Sequence, residues 1–228
     1  MFDNTILLLL PAILLSMYAQ FKVSSTFNKF SQTASTKGLT GAEVAAKLLL
    51  ANGVKDVKIQ QVAGSLTDHY DPAAKVVRLS ESVYGQRSLA ALGVAAHEVG
   101  HALQHNENYA PLAFRSGLFP VTTLCSRLSL PILLLGMFMG ASPFGIWMLY
   151  AGIIMFSFVF LFQVITLPVE FNASSRAVRM LESERLLSES ETVPAKRVLD
   201  AAALTYVAAV IMTALQLLRF VMIARGRS

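Results

Sequence analysis

The chain contains little charge and almost no cysteine. Only 14% of its 228 residues are charged, against roughly 25% in soluble domains, and its mean hydropathy is +0.56. Because Cys125 is the single cysteine, an internal disulfide and a cysteine-rich metal site are both excluded. These scarcities argue against an ordinary soluble domain and favour a membrane protein.

Charged side chains are missing from three long stretches, residues 4–21, 128–169 and 201–218. About 20 apolar residues cross a bilayer, so the first and last stretches each predict one span. The middle stretch would form a helix of roughly 63 Å, about twice the hydrocarbon thickness, so it must fold back. Gly140-Ala141-Ser142-Pro143 is the strong turn signal inside it.

We therefore predict a mainly α, polytopic membrane protein with about four transmembrane helices in a single membrane-embedded domain, residues 1–228. The predicted spans are residues 4–21, 117–139, 144–168 and 201–221, and the aqueous segments are residues 22–116 and 169–200. The first span is interpreted as a retained anchor, because no small-x-small cleavage site follows it.

The net charge of +5 comes from scattered basic residues, which argues against nucleic-acid binding. Lysines follow the first span and arginines follow the third, so the positive-inside tendency places both aqueous segments in the cytoplasm. Arg225 and Arg227, after the last span, conflict mildly with this orientation.

One motif with clear chemistry lies in the first aqueous segment, His97-Glu98-Val99-Gly100-His101. Histidines four apart lie about 40° apart around a helix, so both rings can hold one metal ion from one face. Glu98 would lie beside the ion, where it can take a proton from an activated water. The surrounding residues are rich in alanine and leucine, and Ser88 is a suitable N-cap. A buried helix with two core histidines is the alternative interpretation.

A catalytic zinc has three protein ligands, so a third ligand is needed. Two spans return the chain to the side it left, and Glu170 is the first charged residue to emerge, where Pro168 is expected to end the span. The rival ligands are Asp200, at the mouth of the last span, His105, one turn beyond the motif, and His69. His69 is a tentative catalytic helper.

Local signals predict the elements around the motif. Thr40-Gly41-Ala42-Glu43 forms a capping box that opens a short helix. Alternation over Val57–Leu79, with a turn at Asp71-Pro72, predicts a short β-hairpin whose second strand could bind extended substrate by edge pairing. A further helix is expected over residues 171–187, with a break near residues 188–194.

Three segments together resemble the bacterial membrane zinc metallopeptidases of the YugP type, a neutral zinc metallopeptidase family. They are Leu66–Pro72, Val94–Ala102 and Leu167–Ser174, and the N-terminal anchor extends the likeness to nearly the whole chain. The family is similar to the gluzincins and, more distantly, to the HtpX and Ste24 membrane proteases. The resemblance implies that His97, His101 and Glu170 are zinc ligands and that Glu98 is the base.

One position departs from the HtpX pattern, in which an aspartate usually follows the ligand glutamate by four residues. Ser174 holds that position here. The group that orients a zinc-bound histidine must then come from elsewhere, or Asn172 or Ser174 supplies a weaker hydrogen bond.

The predicted function is a membrane-bound zinc metalloendopeptidase, with one zinc ion per chain in a small α+β zinc-protease domain at the membrane face. With Glu98 as general base, zinc-activated water would hydrolyse peptide bonds of membrane or membrane-proximal proteins. His69, Tyr70 and Arg176 are candidate oxyanion donors. The alternatives are a site-2-type intramembrane protease that uses Asp200 and a non-catalytic membrane scaffold with a zinc site. The expected location is the bacterial cell membrane, with the active site on the cytoplasmic side.

Overall fold

The computed structural model describes residues 4–226 as six α-helices and a small sheet of three strands. The helices are α1 (Leu10–Ser31), which follows a 3-10 helix at Asn4–Leu9, α2 (Gly41–Ala51), α3 (Leu89–Asn106), α4 (Ala110–Phe138), α5 (Pro143–Ser183) and α6 (Glu189–Arg225). The strands are β1 (Lys58–Val62), β2 (His69–Asp71) and β3 (Val76–Ser80).

Four helical segments are long and apolar enough to cross a membrane. They are Thr5–Ser31, Ala110–Phe138, Pro143–Ser183 and Glu189–Arg225. The chain folds back between α4 and α5, where Gly140 has a φ of +64°, a conformation that glycine adopts without strain. The predictions of a mainly α polytopic protein and of a turn at Gly140 are confirmed.

The described chain forms two compact units. The span unit comprises residues 4–18, 114–167 and 205–226, and the site unit comprises Ala19–Ala113 and Pro168–Leu204. The boundaries after residues 18, 167 and 204 fall within a few residues of an end of a charge-free stretch, whereas the boundary at residue 114 lies well before the middle stretch begins. The span unit buries Leu133, Leu149 and Phe220 together.

The sheet corrects the predicted Val57–Leu79 hairpin. β3 is the central strand, antiparallel to β2 and parallel to β1. The turn is the one predicted at Asp71, whose Oδ1 accepts from the backbone N–H groups of Ala73 and Ala74 at 3.0 Å. This turn connects β2 to β3. Strand β2 has only three residues, too few for an alternating pattern of apolar and polar residues to predict it. Because β3 pairs on both sides, the predicted edge pairing of substrate with this strand is wrong.

Two helix ends also differ from the prediction. Pro168 lies inside α5 and does not end it, because the turns on either side continue despite the one backbone hydrogen bond that proline removes. The later break falls at residues 184–188. There, Glu191 Oε2 accepts from the backbone N–H of Ser188 at 2.9 Å and caps α6, so that Pro194 lies within that helix. The side chain of Glu170 is therefore carried by one continuous helix.

The motif helix α3 lies in the core of the site unit. Its small buried residues pack among α2, α5, α6 and the sheet, together with the buried side chains of Leu48, Leu79 and Leu181. Both predicted helix starts are confirmed: the Thr40–Glu43 capping box opens α2, and Ser88 Oγ accepts from the backbone N–H of Ala91 at the start of α3.

Helices α3 and α5 approach each other closely at Gly100. A Cβ atom at this position would lie 2.7 Å from the carbonyl oxygen of Ala173, closer than real Cβ contacts allow. On the same helix, a Cβ atom at Gly93 would lie 3.4 Å from the carbonyl oxygen of Ala195, which is ordinary contact. Of these two glycines of α3, Gly100 is therefore the one that its neighbours require to be glycine.

This difference gives a matched test on one helix. Gly100→Ala should lower the thermal unfolding midpoint of the detergent-purified protein, because overpacking typically costs about 1–3 kcal/mol. Gly93→Ala should leave the midpoint unchanged or raise it, since alanine is favoured over glycine in a helix by about 1 kcal/mol. Equal shifts in the two variants would contradict the close approach at Gly100.

Candidate metal centre

Three potential metal ligands meet inside the site unit. The Nε2 atoms of His97 and His101, on one face of α3, lie 3.3 Å and 3.5 Å from Oε2 of Glu170 on α5. Glu170 is buried, with 3% of its surface exposed. Within residues 4–226, these three side chains are the one group of histidines, cysteines and acids close enough to hold an ion.

The donor set fits zinc in both chemistry and spacing. Imidazole nitrogen and carboxylate oxygen are usual zinc ligands, and ligands about 2.0–2.1 Å from a tetrahedral zinc lie roughly 3.3–3.4 Å from one another. The two distances to Glu170 are close to that spacing. Two histidines and a glutamate also leave one tetrahedral position open, as catalytic zinc sites do.

The rival ligands have other partners. Asp200 forms an ion pair with Lys196, whose Nζ lies 2.9 Å from its Oδ2. His105 Nδ1 lies 2.8 Å from the hydroxyl of Tyr70. Neither residue belongs to the three-ligand group found among the described residues.

The candidate oxyanion donors also make contacts of their own. Burial, aided by nearby acids, raises the pKa of Tyr70 to about 12, so its hydroxyl stays protonated. Arg176 forms an ion pair with Glu107, between Nη1 and Oε2 at 2.7 Å. His69 Nδ1 lies 2.9 Å from the carbonyl oxygen of Thr67, and the catalytic role of His69 stays a prediction.

A chain of hydrogen bonds behind the site fixes the orientation of two amides. Arg176 can only donate, and its Nε donates to Oδ1 of Asn172 at 2.7 Å. Nε2 of Gln104 donates to the same oxygen at 2.9 Å and to the carbonyl oxygen of Val169 at 2.8 Å. Because both partners accept, the nitrogen of the Gln104 amide must face them, and Oε1 must face His101.

The Gln104 amide therefore selects the tautomer of His101. Nδ1 of His101 lies 3.0 Å from Oε1 of Gln104, an atom that can only accept, so Nδ1 carries the proton. In the neutral ring, the lone pair on Nε2 then points toward the carboxylate of Glu170. This Nε2 lone pair and the carboxylate oxygen of Glu170 repel each other unless a positive charge lies between them. Although burial disfavours the charged ring, Glu170 raises the pKa of His101.

His97 has a simpler support. Its Nδ1 lies 3.1 Å from Oγ of Ser174, as expected if this serine replaces the aspartate of the HtpX pattern. Asn172, the other predicted substitute, acts indirectly through Gln104. The sequence analysis missed Gln104 itself. The sequence signal for it is a glutamine three positions after His101, on the same face of the helix. In the structure Gln104 is fully buried.

Glu98 lies beside the three potential ligands in a dry environment. The residue is 7% exposed, and burial raises the pKa of its carboxyl group. The two motif histidines oppose this effect, whereas the charges of Glu170 and Asp68 add to it. Asp68, which also escaped the sequence analysis, accepts a hydrogen bond from the backbone N–H of Ser80 at 2.7 Å.

Comparisons with known proteins place this chain in a family. A family model described as "Putative neutral zinc metallopeptidase" matches residues 5–225. The chain belongs to this family. It is also 50% identical to "Putative membrane protease YugP" of Bacillus subtilis (strain 168) over 218 residues, which cover 96% of this chain and 95% of the relative. No solved structure matches the chain. The resemblance read from the motifs is confirmed, and the family name implies zinc.

The Gln104 amide can be tested through metal affinity. Gln104→Leu should weaken zinc binding about 10- to 100-fold, the usual cost of losing a group that orients a metal-bound histidine. Titration of the purified protein with zinc against a competing chelator would measure the change. Gln60→Leu, which alters an exposed glutamine on β1, is the matched control and should bind zinc as the wild type does. Wild-type affinity in Gln104→Leu would contradict the assigned tautomer.

Proposed function

We propose that this protein is a membrane-bound zinc endopeptidase that cleaves membrane or membrane-proximal proteins. The observation that carries the proposal is the convergence of Nε2 of His97, Nε2 of His101 and Oε2 of Glu170 next to the buried Glu98. Membership of a zinc metallopeptidase family and the likeness to a protein named as a membrane protease support it.

In this proposal the zinc ion and Glu98 have separate tasks. Zinc in such a site lowers the pKa of a bound water toward about 7 and polarises a substrate carbonyl. Glu98 takes a proton from the water that attacks the peptide carbonyl and delivers it to the leaving amine. Because burial raises its pKa, Glu98 is a stronger base than an exposed glutamate.

The surroundings of α3 bear on how a peptide would be held. With β3 paired on both sides, β1 and β2 are the edges of the sheet, and β2 contacts α3. An extended peptide could pair with the free edge of β2. Glu170 lies on α5, one of the four helices able to cross a membrane. Proteins in or near the bilayer are therefore the substrates that this site would reach. The positive-inside tendency supports a cytoplasmic site.

The two alternatives have less support. A site-2-type protease would need Asp200 as a ligand, and that carboxylate pairs with Lys196. A structural zinc site usually has four protein ligands, whereas the group here has three. A structural site would also have no use for the buried acid Glu98, whose presence is costly in an apolar core.

The proposed base can be tested directly. Glu98→Gln should retain zinc but cleave a peptide library about 100- to 10,000-fold more slowly, because general base catalysis contributes that much. Mass spectrometry of the products would measure cleavage, and metal analysis would measure zinc. Glu81→Gln, at an exposed position of the site unit, is the control and should cleave normally. Wild-type cleavage by the zinc-loaded Glu98→Gln protein would contradict this role.

A further inference from the structure

A second pocket of the site unit lies between α1 and α6. Its volume is about 550 Å³, within the range of roughly 300–1,000 Å³ that small-molecule sites occupy. Neither the three potential metal ligands nor Glu98 line this pocket. It is therefore separate from the metal centre, and the proposed peptidase chemistry does not account for it.

The charge of the pocket favours an anion. Lys22 and Lys29 of α1 and Arg197 of α6 line it, and Asp200 is the single acid in its wall. The ion pair with Lys196 already offsets the charge of Asp200. With Asp200 offset by Lys196, the positive charges of Lys22, Lys29 and Arg197 remain in excess in the pocket wall. This excess suits a phosphate or another compact anion.

The position of the pocket indicates where that anion comes from. Lys22 is the residue at which the first charge-free stretch ends, and Asp200 immediately precedes the last such stretch. Both residues lie on helices able to cross a membrane, so the pocket lies at the level where α1 and α6 pass from apolar to polar surroundings. Leu204 continues its wall toward the apolar part of α6.

We propose that this pocket binds the headgroup of an anionic phospholipid. Lys22, Lys29 and Arg197 would contact the phosphate, and the hydroxyl of Ser25, which also lines the pocket, can donate to it. Free phosphate shares this chemistry but gains nothing from the apolar wall or from the bilayer boundary. The inference rests on the pocket and the membrane-crossing helices, and is independent of the proposed peptidase activity.

Native mass spectrometry of the full-length, detergent-purified protein tests the proposal. Wild type should bind dioleoylphosphatidylglycerol more tightly than the zwitterionic dioleoylphosphatidylcholine. The double variant Lys22→Gln/Arg197→Gln should bind phosphatidylglycerol about 30-fold more weakly, the loss expected when two cations leave an anionic lipid surface. An unchanged thermal unfolding midpoint in phosphatidylcholine would show that the double variant is folded. A charge-conserving Lys22→Arg variant should bind phosphatidylglycerol as the wild type does.

The matched control removes the same charge elsewhere. Lys55→Gln/Lys58→Gln alters two exposed lysines of the site unit outside the pocket and should bind phosphatidylglycerol normally. Equal binding of the two lipids by wild type would overturn the proposal. So would an equal loss in the control, which would indicate a general charge effect, or competition by millimolar inorganic phosphate as effective as that of the lipid, which would indicate a free-anion site.

Discussion

The close contact between α3 and α5 at Gly100 is the constraint on which the metal centre depends. A side chain at this position would push α5 away through the carbonyl of Ala173. The histidines come from α3 and Glu170 comes from α5, so the separation of these helices sets the distances between the potential ligands. A wider separation would lengthen the distances from Glu170 to both histidines, and zinc ligands tolerate little lengthening.

Charge balance is the second requirement of this centre. Glu98 and Glu170 are both buried, and burying a negative charge is costly unless a positive charge lies close by. Gln104 holds a proton on Nδ1 of His101, so that the neutral ring offers a lone pair on Nε2 and no compensating charge. A divalent cation offsets both carboxylates at once, so metal binding and stability of the site unit are expected to be coupled. The hydrogen bonds through Asn172 to Arg176 hold this arrangement before the ion binds, which preorganises the site.

Sequence reasoning succeeded where the governing signal is local. The caps at Thr40 and Ser88 correctly predicted two helix starts. The three charge-free stretches, together with the turn at Gly140, predicted four helices long and apolar enough to cross a membrane. The assignment of Glu170 as the third ligand came from the argument that a membrane hairpin returns the chain to one side, and it stays a prediction, although Glu170 lies next to both motif histidines. Non-local contacts were missed: the parallel pairing of β1 with β3 depends on residues far apart in sequence, and the role of Gln104 depends on acceptors that α5 provides. Tertiary packing also outweighed the local tendency of Pro168 to end a helix.

The most direct test of the central claim is the zinc content of detergent-purified wild type, Glu170→Ala and Asp200→Ala, measured by inductively coupled plasma mass spectrometry. Wild type and Asp200→Ala should each hold about one zinc ion per chain, because Asp200 pairs with Lys196, while Glu170→Ala should hold little or none. Retention of zinc by Glu170→Ala together with its loss from Asp200→Ala would contradict the assigned ligand set.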